Sequence, residues 1–359
     1  MMENNVGRSV KKEEARLCRE DFDAGPSNLD CIEPGLWLGN LTAAMDLDVL
    51  ESIKCSHILT VDSCPLPRNI SLIPGIKTMF IQVTDLPKED LLSHFQSAYT
   101  FIKDGQENGV VLVHCYFGVS RSSSIVIAYI MKKYELSFEE AFQRVKNKRK
   151  YVAPNAGFEA QLKLYETMKF TIDEKCFQYI LFRLRIAAEK VRQVKILPTE
   201  YMNVIKADPS LITVRPDPLV YRCFKCRRIV ASARNVIPHE VGRRLSWKRA
   251  CIADEAAGSW VSDAGLIQTN SKQDEQQETS VQLKLCQQIY FVEPLAWMKN
   301  VTHCEQGRLN CPKCDYKLGS FSWIMGCQCP CGSKMAPAFY LIPSKVEWSN
   351  MVKNIQITL

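Results

Sequence analysis

One short segment of the chain has residue types and spacing that suit nucleophilic chemistry on an oxyanion. In VVLVHCYFGVSRSSSIVIAYIM, Cys115 follows an apolar, β-branched run, and Arg121 stands five intervening residues later. A loop that joins a strand to a helix aims successive backbone N–H groups at one point, and the helix dipole adds positive potential. We expect a sulfur held there to be ionised at neutral pH. Arginine can grip two oxygens of a phosphoryl group.

This arrangement predicts that Cys115 attacks a phosphoryl group and forms a cysteinyl-phosphate intermediate. Successive residues of a strand point to opposite faces, so His114 cannot readily deprotonate Cys115, and we expect it to fix the loop through the backbone. If Cys115 had only a structural role, the spacing of Gly118 and Arg121 relative to it would be a coincidence. The loop residues expected to bind phosphate are Tyr116, Phe117, Gly118, Val119, Ser120 and Arg121.

The elements around this loop alternate between strands and helices. Apolar runs predict strands at 34–38, 57–61, 78–83 and 110–113. Helical spacing of apolar residues predicts helices at 91–103, 122–134, 137–148 and 157–168. This alternation predicts an α/β sandwich with a mostly parallel central sheet.

The motif HCYFGVSR matches the His-Cys-x5-Arg-Ser/Thr signature of cysteine-dependent protein phosphatases. PGLWLGN, AYIMKKY and PNAGFEAQL resemble the dual-specificity branch of that family. The resemblance covers about residues 30–170 and implies hydrolysis of phosphotyrosine and phosphoserine/threonine, with no metal or other cofactor in catalysis. Phe117 stands where the family commonly has alanine, and we expect its ring to narrow or reshape the pocket wall, which affects substrate range more than reaction type.

The resemblance also implies roles for two further residues. The family takes its general acid from an aspartate on a loop some thirty residues before the nucleophile, and Asp85 matches that position. Asp90 is a poorer candidate for the general acid. The alternative role for Asp85 is structural, as the cap of a helix or turn. A carboxyl that first donates a proton and then accepts one from water does ordinary acid–base work. Ser122 matches the hydroxyl that stabilises the departing thiolate, although it can also cap the helix.

The C-terminal part of the chain is rich in cysteine, with ten of the sixteen cysteines in residues 223–359. Two Cys-x2-Cys pairs can close one tetrahedral zinc site if the chain between them folds back. For a second site we propose one histidine and three further cysteines; Cys251, Cys304 and Cys327 are left as alternatives or as small apolar residues. The first set is Cys223, Cys226, Cys311 and Cys314; the second is His239, Cys286, Cys329 and Cys331.

CRRIV, YFVEPLAWM, GRLNCPKCDYKLGSFSW and CPCG also resemble a dual-specificity phosphatase type that carries a C-terminal zinc-binding domain. This match extends over about 300 residues. It implies one or two structural zinc ions and a link to maturation of the large ribosomal subunit, separable from phosphatase activity. The spacing between Trp323 and Cys331 is longer than in that type, which leaves the role of Cys327 open.

Composition sets the outer limits. With 359 residues, 46% of them hydrophobic and 24% charged, the chain is typical of a globular protein with two domains and not of a fibrous or mostly disordered one. We predict a flexible tail at 1–28, the phosphatase domain at 29–170, a helical connector at 171–220, and a small, β-rich zinc-binding domain at 221–359. Within the last, residues 253–282 hold six acids and one lysine and are predicted to be an insertion.

We expect an intracellular protein, because the charged N-terminus has no apolar signal segment and no apolar run is long enough to cross a membrane. The expected location is the cytoplasm and nucleus. Residues 183–249 carry sixteen Lys/Arg and five Asp/Glu, a local charge of +11. This excess favours attraction to an RNA-rich preribosomal particle, or it is ordinary solvated surface. Three functions therefore stay open: a phosphoprotein phosphatase, a ribosome assembly factor acting through the zinc domain, and a phosphoinositide or RNA phosphatase.

Overall fold

The computed structural model describes residues 24–212, 217–248 and 286–350. These residues form two compact units. The first contains the described residues up to Pro87 together with Leu91–Glu159, and the second contains Lys88–Asp90 and the described residues from Ala160 onward. The predicted insertion at 253–282 and most of the predicted tail lie outside the described residues. The predicted domain limits stay predictions.

A five-stranded sheet forms the centre of the first unit, in the order β1-β2-β5-β3-β4. Strand β1 pairs with β2 in the antiparallel direction, and the other three pairings are parallel. All residues of β3 and β5 are buried, as expected for parallel strands covered on both faces. The prediction of a mostly parallel sheet is confirmed. The strands are β1 (Leu29–Glu33), β2 (Leu36–Gly39), β3 (His57–Asp62), β4 (Lys77–Gln82) and β5 (Val111–His114).

Helices cover this sheet, and the central one begins directly after the Cys115 loop. Its residues 121–131 are all buried, and it ends at Glu135, whose left-handed backbone closes the last turn. The next helix begins with a capping box between Ser137 and Glu140. The helices of the first unit are α1 (Leu41–Met45), α2 (Leu47–Ser52), α3 (Arg68–Ser71), α4 (Phe95–Asn108), α5 (Arg121–Tyr134) and α6 (Phe138–Lys148); α7 (Ala156–Thr167) begins in the first unit and belongs to the second from Ala160 onward.

The sequence did not predict β1 or the short helices α1–α3. Strand β1 has no clear alternation of apolar and polar residues, and it forms because Leu29, Asp30 and Cys31 pair with β2. Residues 24–28, predicted to belong to the tail, are held by Asn40, whose side chain donates to the carbonyls of Ala24 and Pro26.

The second unit combines helix α8 (Phe177–Val194) with small antiparallel sheets. Leu184 and Val191 of α8 belong to the same buried core as Phe291, Trp323 and Phe339, so this part of the predicted connector contributes to the core of the unit. The strands are β6 (Leu219–Cys223), β7 (Ile229–Ser232), β8 (Val236–Ile237), β9 (Tyr290–Val292), β10 (Gln306–Asn310), β11 (Lys317–Ser322), β12 (Cys327–Gln328), β13 (Lys334–Met335), β14 (Ala338–Leu341) and β15 (Val346–Asn350). None of the described helices combines the length and apolar character needed to cross a membrane.

Candidate active site and candidate metal centres

Cys115 lies between β5 and α5 and is buried, with 1% of its surface exposed. Two groups donate hydrogen bonds to its Sγ atom: the backbone N–H of Gly118 at 3.2 Å and the hydroxyl of Ser122 at 3.1 Å. A sulfur that receives two donors is better able to carry negative charge, because hydrogen bonds to the ionised form stabilise it. The structure therefore brings three of the predicted residues together at one atom.

The backbone of the loop is turned so that its carbonyl groups face outward. Four successive carbonyls accept hydrogen bonds from residues outside the loop. Because the N–H and C=O groups of a trans peptide point in opposite directions, the corresponding N–H groups face the interior of the loop, which makes it an anion cradle. The N–H of Leu41 donates to the carbonyl of Tyr116, and the N–H of Ala153 donates to that of Val119. The guanidinium of Arg149 donates to the carbonyls of Phe117 and Gly118.

Gly118 and Arg149 depend on each other at the back of this cradle. Gly118 has φ +70°, and a Cβ atom there would lie 2.5 Å from the carbonyl oxygen of Gly39 and 2.7 Å from Nη2 of Arg149. Only glycine fits this backbone and this close approach. Arg149 is 2% exposed, and its charge is balanced by Asp30, whose Oδ2 lies 2.7 Å from Nη1.

Arg121 is the first residue of α5, and its side chain is 8% exposed. Its Nη1 atom lies 2.5 Å from Oδ1 of Asp62, a buried carboxylate at the end of β3. Its Nε atom is buried without a hydrogen-bond partner among the described residues. The guanidinium therefore keeps a donor available beside the cradle.

The Asp85 carboxylate is held against the phosphate loop. Its Oδ1 accepts hydrogen bonds from the Ser120 hydroxyl at 2.7 Å and from the Asn155 side-chain amide at 2.8 Å. Its Oδ2 lies 4.0 Å from Nε of Arg121, and the side chain is 38% exposed. With Oδ1 occupied by two donors, Oδ2 is the oxygen that can carry a proton toward a substrate.

The structure also shows where the remaining expected residues lie; one of them, Asp90, belongs to the second unit. Asp90, the alternative acid, is bound instead to Arg183, with Oδ2 2.7 Å from Nη1. His114 contacts the Thr60 hydroxyl through Nε2 at 2.8 Å and the backbone carbonyl of Cys115 through Nδ1 at 3.4 Å, as expected for a loop-fixing residue. The Phe117 ring is 53% exposed and packs edge-on against Tyr116, so it lies at the surface of the loop.

In the second unit, the two Cys-x2-Cys pairs face each other. Cys223 and Cys226 surround one turn, Cys311 and Cys314 another, and in each turn the N–H four residues after the first cysteine donates to the carbonyl of that cysteine. The sulfurs of Cys223 and Cys314 are 3.7 Å apart, and those of Cys226 and Cys311 are 3.5 Å apart. A tetrahedral zinc ion with Zn–S bonds of about 2.3 Å places its sulfurs about 3.8 Å apart, so the set fits this metal.

The second predicted set also comes together. The ligand atoms of His239, Cys286, Cys329 and Cys331 all lie within 4.8 Å of one another. The sulfurs of Cys286 and Cys329 are 3.5 Å apart. Nε2 of His239 is buried without a hydrogen-bond partner among the described residues, which is typical of an imidazole nitrogen meant for a metal. Three thiols and one imidazole suit zinc.

The thiols of each set titrate unequally. Burial, together with neighbouring thiols, raises the pKa of Cys311 and of Cys329 to about 12. Burial also acts to raise the pKa of Cys226, but hydrogen bonds from the Arg228 backbone and from Cys314 outweigh it and bring the value to about 7. Sulfurs this close cannot all ionise without a counter-charge, and a divalent metal ion would supply it.

Of the ten cysteines in residues 223–359, three are outside these sets. Cys304 is exposed, and Cys327 is half-buried in β12 with its thiol near the carbonyl of Gln328. Cys251 lies outside the described residues. Sequence reasoning missed Asp62, Arg149 and Asn155. An aspartate that ends a fully buried strand beside the Cys115 strand was a usable signal, whereas nothing local showed that Arg149 or Asn155 would reach the loop.

Comparison with known proteins places this geometry in a family. The dual specificity phosphatase catalytic domain matches residues 36–168. Dual specificity protein phosphatase MPK-4 of Drosophila melanogaster is 43% identical over an alignment of 374 positions, which covers 99% of this chain and 97% of that protein. Dual specificity protein phosphatase 12 of Homo sapiens is 33% identical and covers 88% of this chain and 87% of that protein.

Among solved structures, the Yvh1 phosphatase domain from Chaetomium thermophilum is 28% identical, with a TM-score of 0.39, and covers 41% of this chain and 100% of that one. The MPK-4 relative extends the similarity across both units. The chain belongs to the dual specificity protein phosphatase family, and it is a phosphatase.

Proposed function

We propose that this phosphatase hydrolyses phosphotyrosine and phosphoserine/threonine in proteins through a phosphoryl group carried on Cys115. The observation that carries the proposal is the pair of donors, Gly118 N–H and Ser122 Oγ–H, that converge on the Cys115 sulfur. These donors stabilise the thiolate both before attack and when it departs.

In the first step, the Cys115 sulfur forms a bond to phosphorus while the bond from phosphorus to the ester oxygen breaks. The leaving oxygen takes a proton from Oδ2 of Asp85. The inward N–H groups of the loop and the guanidinium of Arg121 stabilise the charge that develops on the three phosphoryl oxygens. The dephosphorylated alcohol then leaves the site.

In the second step, water attacks phosphorus and loses a proton to the Asp85 carboxylate, while the bond between sulfur and phosphorus breaks. The Ser122 hydroxyl donates to the departing sulfur, so it lowers the barrier to hydrolysis of the intermediate. The products are inorganic phosphate and the enzyme with its Asp85 proton restored.

Turnover of a substrate panel tests this proposal. We expect phosphotyrosine and phosphothreonine peptides to be hydrolysed with higher kcat/KM than phosphoinositides or RNA with a 5′-phosphate end. Faster turnover of a phosphoinositide or an RNA end would instead support a phosphoinositide or RNA phosphatase. Equal losses with all substrates in Cys115→Ser would show that one site does all the hydrolysis.

We further propose that two zinc ions bind in the second unit and act structurally. Each candidate set offers four protein ligands, which leaves no coordination position for a catalytic water. The spacing of the sulfurs and the unpartnered His239 nitrogen support this. Metal content should be two ions per chain in the wild type and one in Cys226→Ser or Cys331→Ser. Two ions in either variant would contradict the ligand assignment.

A second candidate function is assembly of the large ribosomal subunit in the cytoplasm and nucleus, with the second unit as the binding part. The charge of +11 in residues 183–249 supports this, and the side chains of Arg234 and Arg243 are 72% and 63% exposed. Binding to purified large-subunit precursors should weaken steeply as salt rises. Rescue of a growth defect by Cys115→Ser, but not by a chain ended at residue 220, would separate this function from hydrolysis.

A further inference from the structure

A buried carboxylate lies directly behind the phosphate-binding arginine. Asp62 ends β3, and its neighbour strand β5 leads into the Cys115 loop, with Thr60 opposite His114 in the parallel register. The side chains of Asp62 and Arg121 are 2% and 8% exposed. Oδ1 of Asp62 also accepts hydrogen bonds from the N–H and hydroxyl of Ser63, at 2.7 and 3.2 Å, which fix the carboxylate.

The contact with Asp62 occupies one nitrogen of the Arg121 guanidinium and leaves another able to donate to a ligand. Nη1 of Arg121 donates to Asp62 at 2.5 Å. Nε is buried and has no hydrogen-bond partner among the described residues, and Oδ2 of Asp85 lies 4.0 Å from it. A buried donor without a partner is unfavourable, so the arrangement is complete only when an acceptor such as a phosphoryl oxygen lies against Nε.

We propose that Asp62 is a positioning residue: it holds Nη1 of Arg121 so that Nε faces the anion cradle. This inference rests on the proposed role of Arg121 in binding the phosphoryl group. Arginine has several rotatable bonds, and a guanidinium fixed in advance loses less freedom when it binds an oxyanion in two-point fashion. The negative charge of Asp62 weakens anion binding by itself, so its benefit is orientation.

Asp62→Asn tests the proposal, because asparagine keeps the size and one oxygen acceptor but removes the charge that fixes the guanidinium. We expect kcat/KM for p-nitrophenyl phosphate to fall roughly tenfold to hundredfold, as is usual when a catalytic group is misplaced. The inhibition constant of orthovanadate should rise by a similar factor. Asp104→Asn, which removes a charge from the exposed face of α4, is the matched control and should keep wild-type activity.

A double-mutant cycle separates positioning from a purely structural role. If Asp62 acts through Arg121, then Asp62→Asn should change kcat/KM by less than about twofold when Arg121 is already lysine. A loss of the same size in both backgrounds would overturn the proposal. So would wild-type kcat/KM in Asp62→Asn while Cys115→Ser is inactive, and that result would leave the proposed function intact.

A measurement on the protein without a change at Asp62 covers the case in which Asp62→Asn does not fold. With isotope-labelled arginine, the Nη protons of Arg121 should give separate, slowly exchanging nuclear magnetic resonance signals before any oxyanion is added. Orthovanadate should then shift the Nε signal most. Averaged Nη signals that separate only after orthovanadate is added would contradict advance positioning by Asp62.

Discussion

The two units use the same side chain, cysteine, in opposite surroundings. In the first unit, Cys115 is a single sulfur that receives hydrogen bonds from Gly118 and Ser122. In the second unit, sulfurs face other sulfurs at 3.5 to 3.7 Å. In the proposed function, the donors make the lone sulfur a nucleophile, and a metal ion holds the charge of the clustered sulfurs. The neighbours, more than the residue type, therefore decide what cysteine does.

Metal removal should have the largest effect, and only on the second unit. Structural zinc sites contribute on the order of 10 kcal/mol to folding, so a strong chelator should abolish the thermal unfolding transition of the second unit. Hydrolysis of p-nitrophenyl phosphate by the same full-length protein should continue, because neither candidate metal set contains a residue of the Cys115 site. Calorimetry and activity in one sample measure this.

The matched control for that experiment is Cys304→Ser, which changes an exposed cysteine outside both sets and should keep both metal ions and the wild-type transition. Loss of hydrolysis in parallel with metal removal would contradict this difference between the two units, since it would make the metal part of catalysis.

Cys115→Ser should lower kcat by roughly 10⁴-fold or more, because the hydroxyl of serine is a far weaker nucleophile at neutral pH. Steady-state turnover of p-nitrophenyl phosphate measures the loss. Cys31→Ser, at an exposed position of β1, should retain wild-type turnover. Appreciable hydrolysis by purified Cys115→Ser would show that the lone sulfur is not the nucleophile.

Asp85→Asn should lower kcat by about 10²- to 10⁴-fold, the usual contribution of a general acid. The loss should be greatest for substrates with poor leaving groups, such as alkyl phosphates, which most need a proton. Asp90→Asn should leave hydrolysis nearly unchanged, because Asp90 is bound to Arg183. The reverse ranking of these two variants would assign the acid to Asp90.

The smallest effect concerns Glu293, a buried carboxyl of the second unit. Burial raises its pKa from 4.5 to about 7, against the opposing attraction of Lys206 and a hydrogen bond with Asn235. The folded state binds the Glu293 proton more tightly than the unfolded chain does. Protonated Glu293 therefore stabilises the folded state, and this contribution is complete below pH 4.5 and is lost as the pH rises through 7. The loss amounts to about 3 kcal/mol in the free energy of unfolding.

Chemical denaturation of the metal-loaded protein between pH 5 and 8 measures this dependence, and Glu293→Gln should flatten it. Glu200→Gln, at an exposed position, should leave the slope as in the wild type. Equal slopes in wild type and Glu293→Gln would mean that Glu293 titrates as it does in water.

The sequence identified those parts of the fold that depend on local pattern. The buried runs HILTV and VVLV are strands, and the helix after Arg121 begins where the motif predicted. Strand β1 was not predicted, because its residues form a strand only through pairing with β2. The short helix α1 depends on a cap from Asn40, which is itself fixed by distant contacts.

In the candidate site, the sequence motif predicted the residues from Cys115 to Ser122, which lie close together because they are consecutive. Residues that reach the loop from elsewhere were harder to find. Arg149 and Asn155 lie more than thirty residues away from Cys115, and only the folded sheet and helices bring them to Gly118 and Asp85. Both predicted cysteine sets come together because paired spacing already fixes half of each cluster.

In the proposed mechanism, the Cys115 sulfur carries the phosphoryl group during turnover. Rapid acid quench of Ser122→Ala during hydrolysis of p-nitrophenyl phosphate, followed by mass spectrometry of the peptide that contains Cys115, tests it most directly. We expect a gain of one phosphoryl group on Cys115, absent in Cys115→Ser. A peptide that stays unmodified while substrate is consumed, or a phosphoryl group found on another residue, would contradict it.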